Sequence, residues 1–213
     1  MITEEAYLDY LSSLLDGNKS RCLRIAEKLL TEDNHPVDIY TDLLQKSLYR
    51  VGQLWEKNRV CVAEEHLASS ITEYVMTNLC PAFPRKEPNG KKAIISTVCK
   101  EFHQIGAKMA ADIFEINGWD VYFLGANTPC GDLTKIIEQI KPEALALSTT
   151  FYLNVLRLME SLDSLCAQNY DMKIYVGGQA FNYGGEDLIR KFNGKVIYVK
   201  SAWELQEILS AEL

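Results

Sequence analysis

Paired, metal-clamping cysteines are missing from this 213-residue chain. Its six cysteines, at positions 22, 61, 80, 99, 130 and 166, include no Cys-x-x-Cys pair, which excludes a zinc ribbon or a thioredoxin-type redox site. Scattered in this way they read as small buried hydrophobes in a reducing compartment. Histidine is scarce as well: any imidazole chemistry must use His35, His66 or His103. Cationic excess is lacking too. With 22 lysines and arginines against 29 acidic residues, a net charge of −7, a direct nucleic-acid-binding surface is excluded, because phosphates demand positive charge. The longest apolar runs, such as 121–126, fall far short of the roughly 20 residues of a membrane span. Thr3-Glu4-Glu5 stands where a secretory signal would carry positive charge. No internal repeat or low-complexity segment is present. These absences describe a cytoplasmic globular protein without membrane contact.

Residues 1–80 carry only helical periodicity. Tyr7, Leu8, Leu11, Leu14 and Leu15 form one apolar stripe, stopped by Gly17-Asn18. Leu23, Ile25, Ala26, Leu29 and Leu30 form a second, ended near Asp33-Asn34. Pro36 opens a third helix, where its missing N–H costs nothing, and His35 before it reads as a solvated turn residue. Along that helix Val37, Tyr40, Leu44, Leu48, Val51 and Trp55 recur every three or four residues until Lys57-Asn58. A fourth helix, about 60–79, places Leu67, Ile71, Tyr74 and Val75 on its inner face. The expected architecture of this domain is a four-helix bundle.

Residues 81–90 hold three of the six prolines and read as a stiff linker. From 91 to 213 the rhythm changes. Apolar runs at 93–98, 120–124, 144–147, 173–176 and 195–199 alternate with helical patterns at about 104–117, 131–141, 151–168, 182–193 and 201–211. Strands buried on both faces and alternating with helices predict an α/β domain with a five-stranded parallel sheet, flavodoxin-like (Rossmann-type), in the order 2-1-3-4-5.

In such a sheet ligands bind beyond the carboxyl ends of the strands, at the switch point between strands 1 and 3. The four most polar or glycine-rich strand exits converge there: Glu101-Phe102-His103 with Gly106, Gly125 to Pro129, Ser148-Thr149-Thr150, and Gly177-Gly178. A carboxylate near an imidazole can fix the ring's tautomer and leave the other nitrogen for a metal. Only one histidine lies at this edge, which suits a metal that arrives in a macrocycle and needs one axial ligand. Gly177-Gly178 would let a nucleotide-like tail approach the backbone beside the Ser148 hydroxyl. Asn127 and Thr128 fit equally well as caps of the next helix.

Glu101-x-His103-x-x-Gly106, Ser148 at the end of strand 3 and Gly177-Gly178 after strand 4 resemble the cobalamin (vitamin B12)-binding domain of corrinoid proteins, over 91–213. The resemblance implies that His103 is the lower cobalt ligand and the only protein ligand to metal, in place of the cofactor's own base, and that Glu101 orients it. It also implies that Phe102, Gly106, Ser148, Thr150, Gly177 and Gly178 belong to the cofactor site, the last four lining the tail's channel. More familiar methyl carriers have Asp where this chain has Glu101, and one more methylene still lets a carboxylate reach the imidazole.

Val51-Gly52-Gln53-Leu54-Trp55, then Glu65-His66, is similar to the capping bundle of B12-dependent photoreceptors, where Trp, Glu and His cover the cofactor's upper face. Trp55 could equally end a core stripe, and Glu65-His66 could be a solvated face. Two departures stand out: residues 1–35 are too short and too acidic for the helix-turn-helix module that those regulators usually carry ahead of the bundle, and Glu56 stands where some of those sensors have a histidine after the Trp. The reading is a cobalamin-binding protein, 1–80 cap, 81–90 linker, 91–213 cofactor domain, carrying adenosylcobalamin or methylcobalamin. It is a photoreceptor-like sensory module acting through a regulator, or alternatively a methyl carrier acting with a methyltransferase. No catalytic residue set of its own is expected. Homo-oligomerisation is left open.

Overall fold

The structure, a computed structural model, describes residues 2–192 and 194–211. The chain divides into two compact units, Met1–Pro84 and Arg85–Leu213.

The first unit is helical. Thr3 caps α1 (Glu4–Leu15) by accepting the Ala6 N–H at 3.2 Å, and Gly17 turns the chain at φ +70. Asn18 caps α2 (Lys19–Thr31) through the Arg21 N–H. The next helical stretch starts at Pro36: α3 (Pro36–Asp38) runs through a π-helical segment, Ile39–Gln45, into α4 (Lys46–Glu56). His35 is exposed, as expected, but also caps this stretch, its Nδ1 accepting the Val37 N–H at 3.2 Å. α5 (Val62–Leu79) begins where the Glu64 carboxylate accepts the Cys61 N–H.

Two helical faces differ from expectation. On α5 Leu67 and Tyr74 are exposed, and the buried stripe is Ala68, Ile71, Thr72, Val75, Met76 and Leu79. On α1 Leu8 and Leu15 are exposed, while Tyr7, Tyr10, Ser13 and Leu14 face inward. In both helices more apolar side chains exist than one stripe can hold, so packing geometry selects the inner ones.

The expected linker is not a uniform spacer. Cys80–Ala82 forms a 3-10 turn, and Phe83 is buried edge-on against Tyr40 at 5.4 Å. Residues 85–90 instead belong to the second unit, with Lys86 N–H on Ile116 O and Asn89 N–H on Gly118 O, both at 2.9 Å. Gly118 must be glycine there: at φ +83, a Cβ would sit 2.3 Å from Glu87 O.

The second unit is a doubly wound α/β domain. Strands β1 (Lys92–Thr97), β2 (Asp120–Gly125), β3 (Ala144–Ser148), β4 (Lys173–Gly177) and β5 (Val196–Tyr198) form one parallel sheet in the order β2-β1-β3-β4-β5. The crossover helices are α6 (Ile105–Ile116), α7 (Cys130–Ile140) and α8 (Val155–Ala167), with α10 (Ala202–Ala211) last. β1, β3 and β4 are buried along almost their whole length, whereas edge strand β2 is only half-buried, against the expectation of burial on both faces. The helix expected over 182–193 breaks into a 3-10 turn (Gln179–Tyr183), α9 (Glu186–Ile189) and another 3-10 turn (Arg190–Phe192), because Gly184 and Gly185 both take positive φ. Its expected end at 193, and positions 212 and 213 of the domain, lie outside the described residues.

Candidate functional site

The carboxyl edge of the sheet gathers its polar residues around one buried carboxylate. Between β1 and α6 the chain turns sharply at Lys100, a non-glycine residue at φ +63, and drives Glu101 inward until it is 1% exposed. A buried charge survives only if it is fully hydrogen-bonded. Glu101 meets that demand. Its Oε2 accepts the Thr150 and Phe151 N–H groups, each at 2.9 Å, the Asn154 Nδ2–H at 3.1 Å and the Thr149 hydroxyl at 3.3 Å. Its Oε1 accepts the His103 N–H at 3.0 Å and faces the His103 Nδ1 at 2.6 Å.

Burial alone would raise the Glu101 pKa. The hydrogen bonds from His103, Phe151 and Asn154 outweigh it and bring the value down to about 2. Glu101 is therefore ionised at neutral pH and can only accept, so the short contact places the proton of His103 on Nδ1. Nε2 then carries the lone pair with which the ring can meet a metal. The imidazole side chain is 63% exposed, and it belongs to no cluster of three or more ligand-bearing groups among the described residues. A metal held by this one nitrogen has to bring its remaining ligands with it.

The surroundings fit a large, flat, mostly apolar guest. Phe102, Phe151 and Leu153 are 68%, 55% and 68% exposed beside the His103 loop, an apolar surface that water penalises when bare. Gly106, in the first turn of α6, faces Ser148: a Cβ there would stop 3.6 Å from the Ser148 Oγ, and the glycine leaves that gap open. Donor set, apolar surround and gap together suit a corrin ring with an extended tail.

Ser148 pairs in register with Gly177, whose carbonyl accepts the Thr149 N–H at 3.0 Å, so these residues form one cluster with Glu101. The glycines have an internal reason as well. A Cβ on Gly178, at φ +113, would lie 2.2 Å from Thr149 O, and one on Gly177 would lie 2.8 Å from Val199 O. The strand exits themselves thus exclude side chains at both positions.

Trp55, Glu65 and His66 stand in the helical unit. Trp55 is 46% exposed near the end of α4, which removes the core-packing alternative for it. Glu65 accepts the Ser69 hydroxyl at 2.9 Å, and His66 Nε2 lies 3.7 Å from Glu65 Oε2 on the first turn of α5.

Two family models, each described as B12 binding domain, match the chain, one over residues 8–79 and the other over residues 91–204. The chain belongs to the B12-binding domain family. This cobalamin-binding protein is similar to trimethylamine corrinoid protein 1 of Methanosarcina acetivorans, 22% identical over 99% of this chain and 98% of that protein. It is similar also to the HTH-type transcriptional repressor CarH of Myxococcus xanthus, 27% identical over 68% of this chain and 48% of the repressor. Among solved structures, a Methanosarcina barkeri monomethylamine corrinoid protein shares the fold with a TM-score of 0.83 at 16% identity, covering all of both chains.

Two residues bonded into this cluster, Thr97 and Asn154, escaped sequence reasoning, and Asn127 and Thr149 were named only as part of their strand exits. Asn127 is not the expected helix cap, since Pro129 occupies that position. It sits at φ +57, its N–H bonded to Glu101 O and to Thr97 Oγ1, both at 2.9 Å, and its Oδ1 to the Lys100 N–H at 2.7 Å. Thr97 completes the set by donating to Glu101 O at 2.8 Å. Asn154 ends a 3-10 turn (Tyr152–Asn154) and stands at the N-cap of α8, and no local pattern marks such a residue as a partner of position 101.

Proposed function

We propose that this protein is the corrinoid-carrying subunit of a methyl-transfer system, working with a methyltransferase partner. The observation that carries this reading is the end-to-end correspondence with a trimethylamine corrinoid protein, which leaves almost no part of either chain unmatched. When bound, the corrinoid supplies a cobalt centre able to accept and release a methyl group. The chain's own residues prepare the lower side of that centre. Glu101 holds the proton on His103 Nδ1 and so presents Nε2 as the ligand atom. The donors from Thr149, Thr150, Phe151 and Asn154 keep the carboxylate charged and fixed, which preserves the tautomer. The exposed Phe102 and Phe151 would cover apolar ring area, and Gly106 and Ser148 would border the cofactor's tail.

The test loads the purified chain with cobalamin reduced to the cob(I) state and pairs it with methyltransferases and their methylated amines as methyl donors. Methylation of the bound cofactor in the presence of one such enzyme is expected. No transfer with any of them, and a colourless protein after reconstitution, would overturn the proposal.

A second reading, a light-responsive sensor, is favoured by one feature, the Trp55 and Glu65-His66 pattern on the helical unit, beside the 27% identity to CarH over 68% of this chain. It requires preference for adenosylcobalamin and a change of assembly after green light. A carrier shows neither.

A further inference from the structure

Two left-handed, non-glycine residues meet beside the buried carboxylate: Lys100 at φ +63 and Asn127 at φ +57. Asparagine adopts this conformation readily, whereas lysine does so only where its surroundings hold it. Asn127 is that support. It reaches from the exit of β2 to the loop after β1, accepting the Lys100 N–H on its side chain at 2.7 Å and donating its own N–H to Glu101 O at 2.9 Å. The two bonds bracket the peptide at which the chain reverses. Thr97 ties the same carbonyl from below through its hydroxyl. Without the reversal at Lys100, Glu101 would not be aimed at the amides of Thr150 and Phe151, and His103, two residues on, would not share its Oε1.

We propose that Asn127 is a positioning residue for the corrinoid site: by clamping the Lys100–Glu101 peptide it holds the loop on which His103 is presented. The proposal rests on His103 being the cobalt ligand. Only the Oδ1 of Asn127 accepts from Lys100, so Asn127→Asp keeps the clamp. Asn127→Gly keeps the left-handed backbone and its N–H but removes the side-chain bond, isolating the effect.

Three readouts test this on the full chain. In the protein without cofactor, the Lys100 amide of Asn127→Gly should exchange about tenfold faster than wild type, while remote amides are unchanged. Affinity for cobalamin should fall by roughly 5- to 30-fold in Asn127→Gly and stay near wild type in Asn127→Asp. Loaded with cob(II)inamide, which has no base of its own, wild type should show electron-spin resonance lines split by one axial nitrogen. Asn127→Gly should show a mixture of split and unsplit lines. His103→Ala should show none that are split.

If His103→Ala loses the splitting and Asn127→Gly matches wild type in all three readouts, the clamp is refuted and the ligand assignment stands. If His103→Ala retains the splitting, the ligand assignment fails, and unchanged Lys100 exchange in Asn127→Gly would refute the clamp separately. Should Asn127→Gly not fold, Asn127→Ser, whose hydroxyl is too short for the Lys100 amide, is judged on the same measurements.

Discussion

Replacing Glu101 by Gln keeps the side chain's shape and removes its charge, and the structure dictates how the amide must sit. Four donors point at Oε2, from Thr149, Thr150, Phe151 and Asn154, so an NH2 on that side would oppose all of them. The amide oxygen therefore takes the Oε2 position, and the NH2 faces His103. There it opposes the His103 N–H, leaving one donor unsatisfied at a cost of about 1–3 kcal/mol. It also donates to Nδ1, which forces the ring proton onto Nε2 and occupies the ligand atom. Loss of the charge-assisted bond adds about 1.5–3 kcal/mol. Because these effects share one group they do not add fully, and a destabilisation of about 3 kcal/mol is expected. Cobalamin affinity should fall about 10- to 100-fold, the usual cost of removing a carboxylate partner of a ligating histidine. Urea unfolding of the full chain followed by circular dichroism gives the first quantity, and absorbance titration with cobalamin the second. A variant as stable as wild type that binds cobalamin within about twofold would refute the tautomer argument.

Further outcomes follow from the same geometry. Glu101 has its pKa depressed from 4.5 to about 2 in the folded protein, so its stabilisation is complete above about pH 4.5 and is lost as pH falls towards 2. The difference in urea midpoint between wild type and Glu101→Gln should therefore shrink over that acid range, and a constant difference would contradict the ionised state. Asn154→Ala removes a buried donor to both Glu101 Oε2 and Lys100 O, and should cost about 1–3 kcal/mol in the same unfolding assay. Gly178→Ala pushes a Cβ into Thr149 O at a positive φ, and should destabilise by more than about 2 kcal/mol; a neutral effect would show that the strand exit yields. Trp55→Phe should change unfolding by less than about 1 kcal/mol, since the ring is half exposed, yet remove part of the fluorescence quenching caused by added cobalamin. Unchanged quenching would discard Trp55 as a residue near the cofactor.

Much of the fold was legible because it is written in periodicity. The five apolar runs of the second half became the five strands within one or two residues, in the expected order. Buried parallel strands need continuous apolar sequence, and crossovers need helices, so composition alone constrains the topology. Helix stops at Gly17, Asp33 and Asn58 were readable for a related reason: each takes the positive φ that ends a helix. The inner faces of α1 and α5 were less so, since Leu8, Leu15, Leu67 and Tyr74 are apolar enough to be buried and are not. Hydrophobicity states which residues can be inside, and packing against neighbouring helices chooses among them.

The site divides along the same line. Local spacing in the sequence brings Glu101 and His103 together, because two residues apart on one loop they can share a hydrogen bond wherever the loop lies. The depth of Glu101, its charge state and the tautomer of His103 depend on Thr149, Thr150, Phe151, Asn154 and Asn127, which are between 26 and 53 residues away in the chain. Those partners reach the carboxylate, or in the case of Asn127 the backbone of its loop, only because β2 and β3 flank β1 in the sheet and end at the same edge. A sequence read along its length determines which chemistry is possible at one loop; the crossing of the chain determines which charge that loop can bury, since only the folded chain brings together the backbone and side-chain donors a buried carboxylate needs.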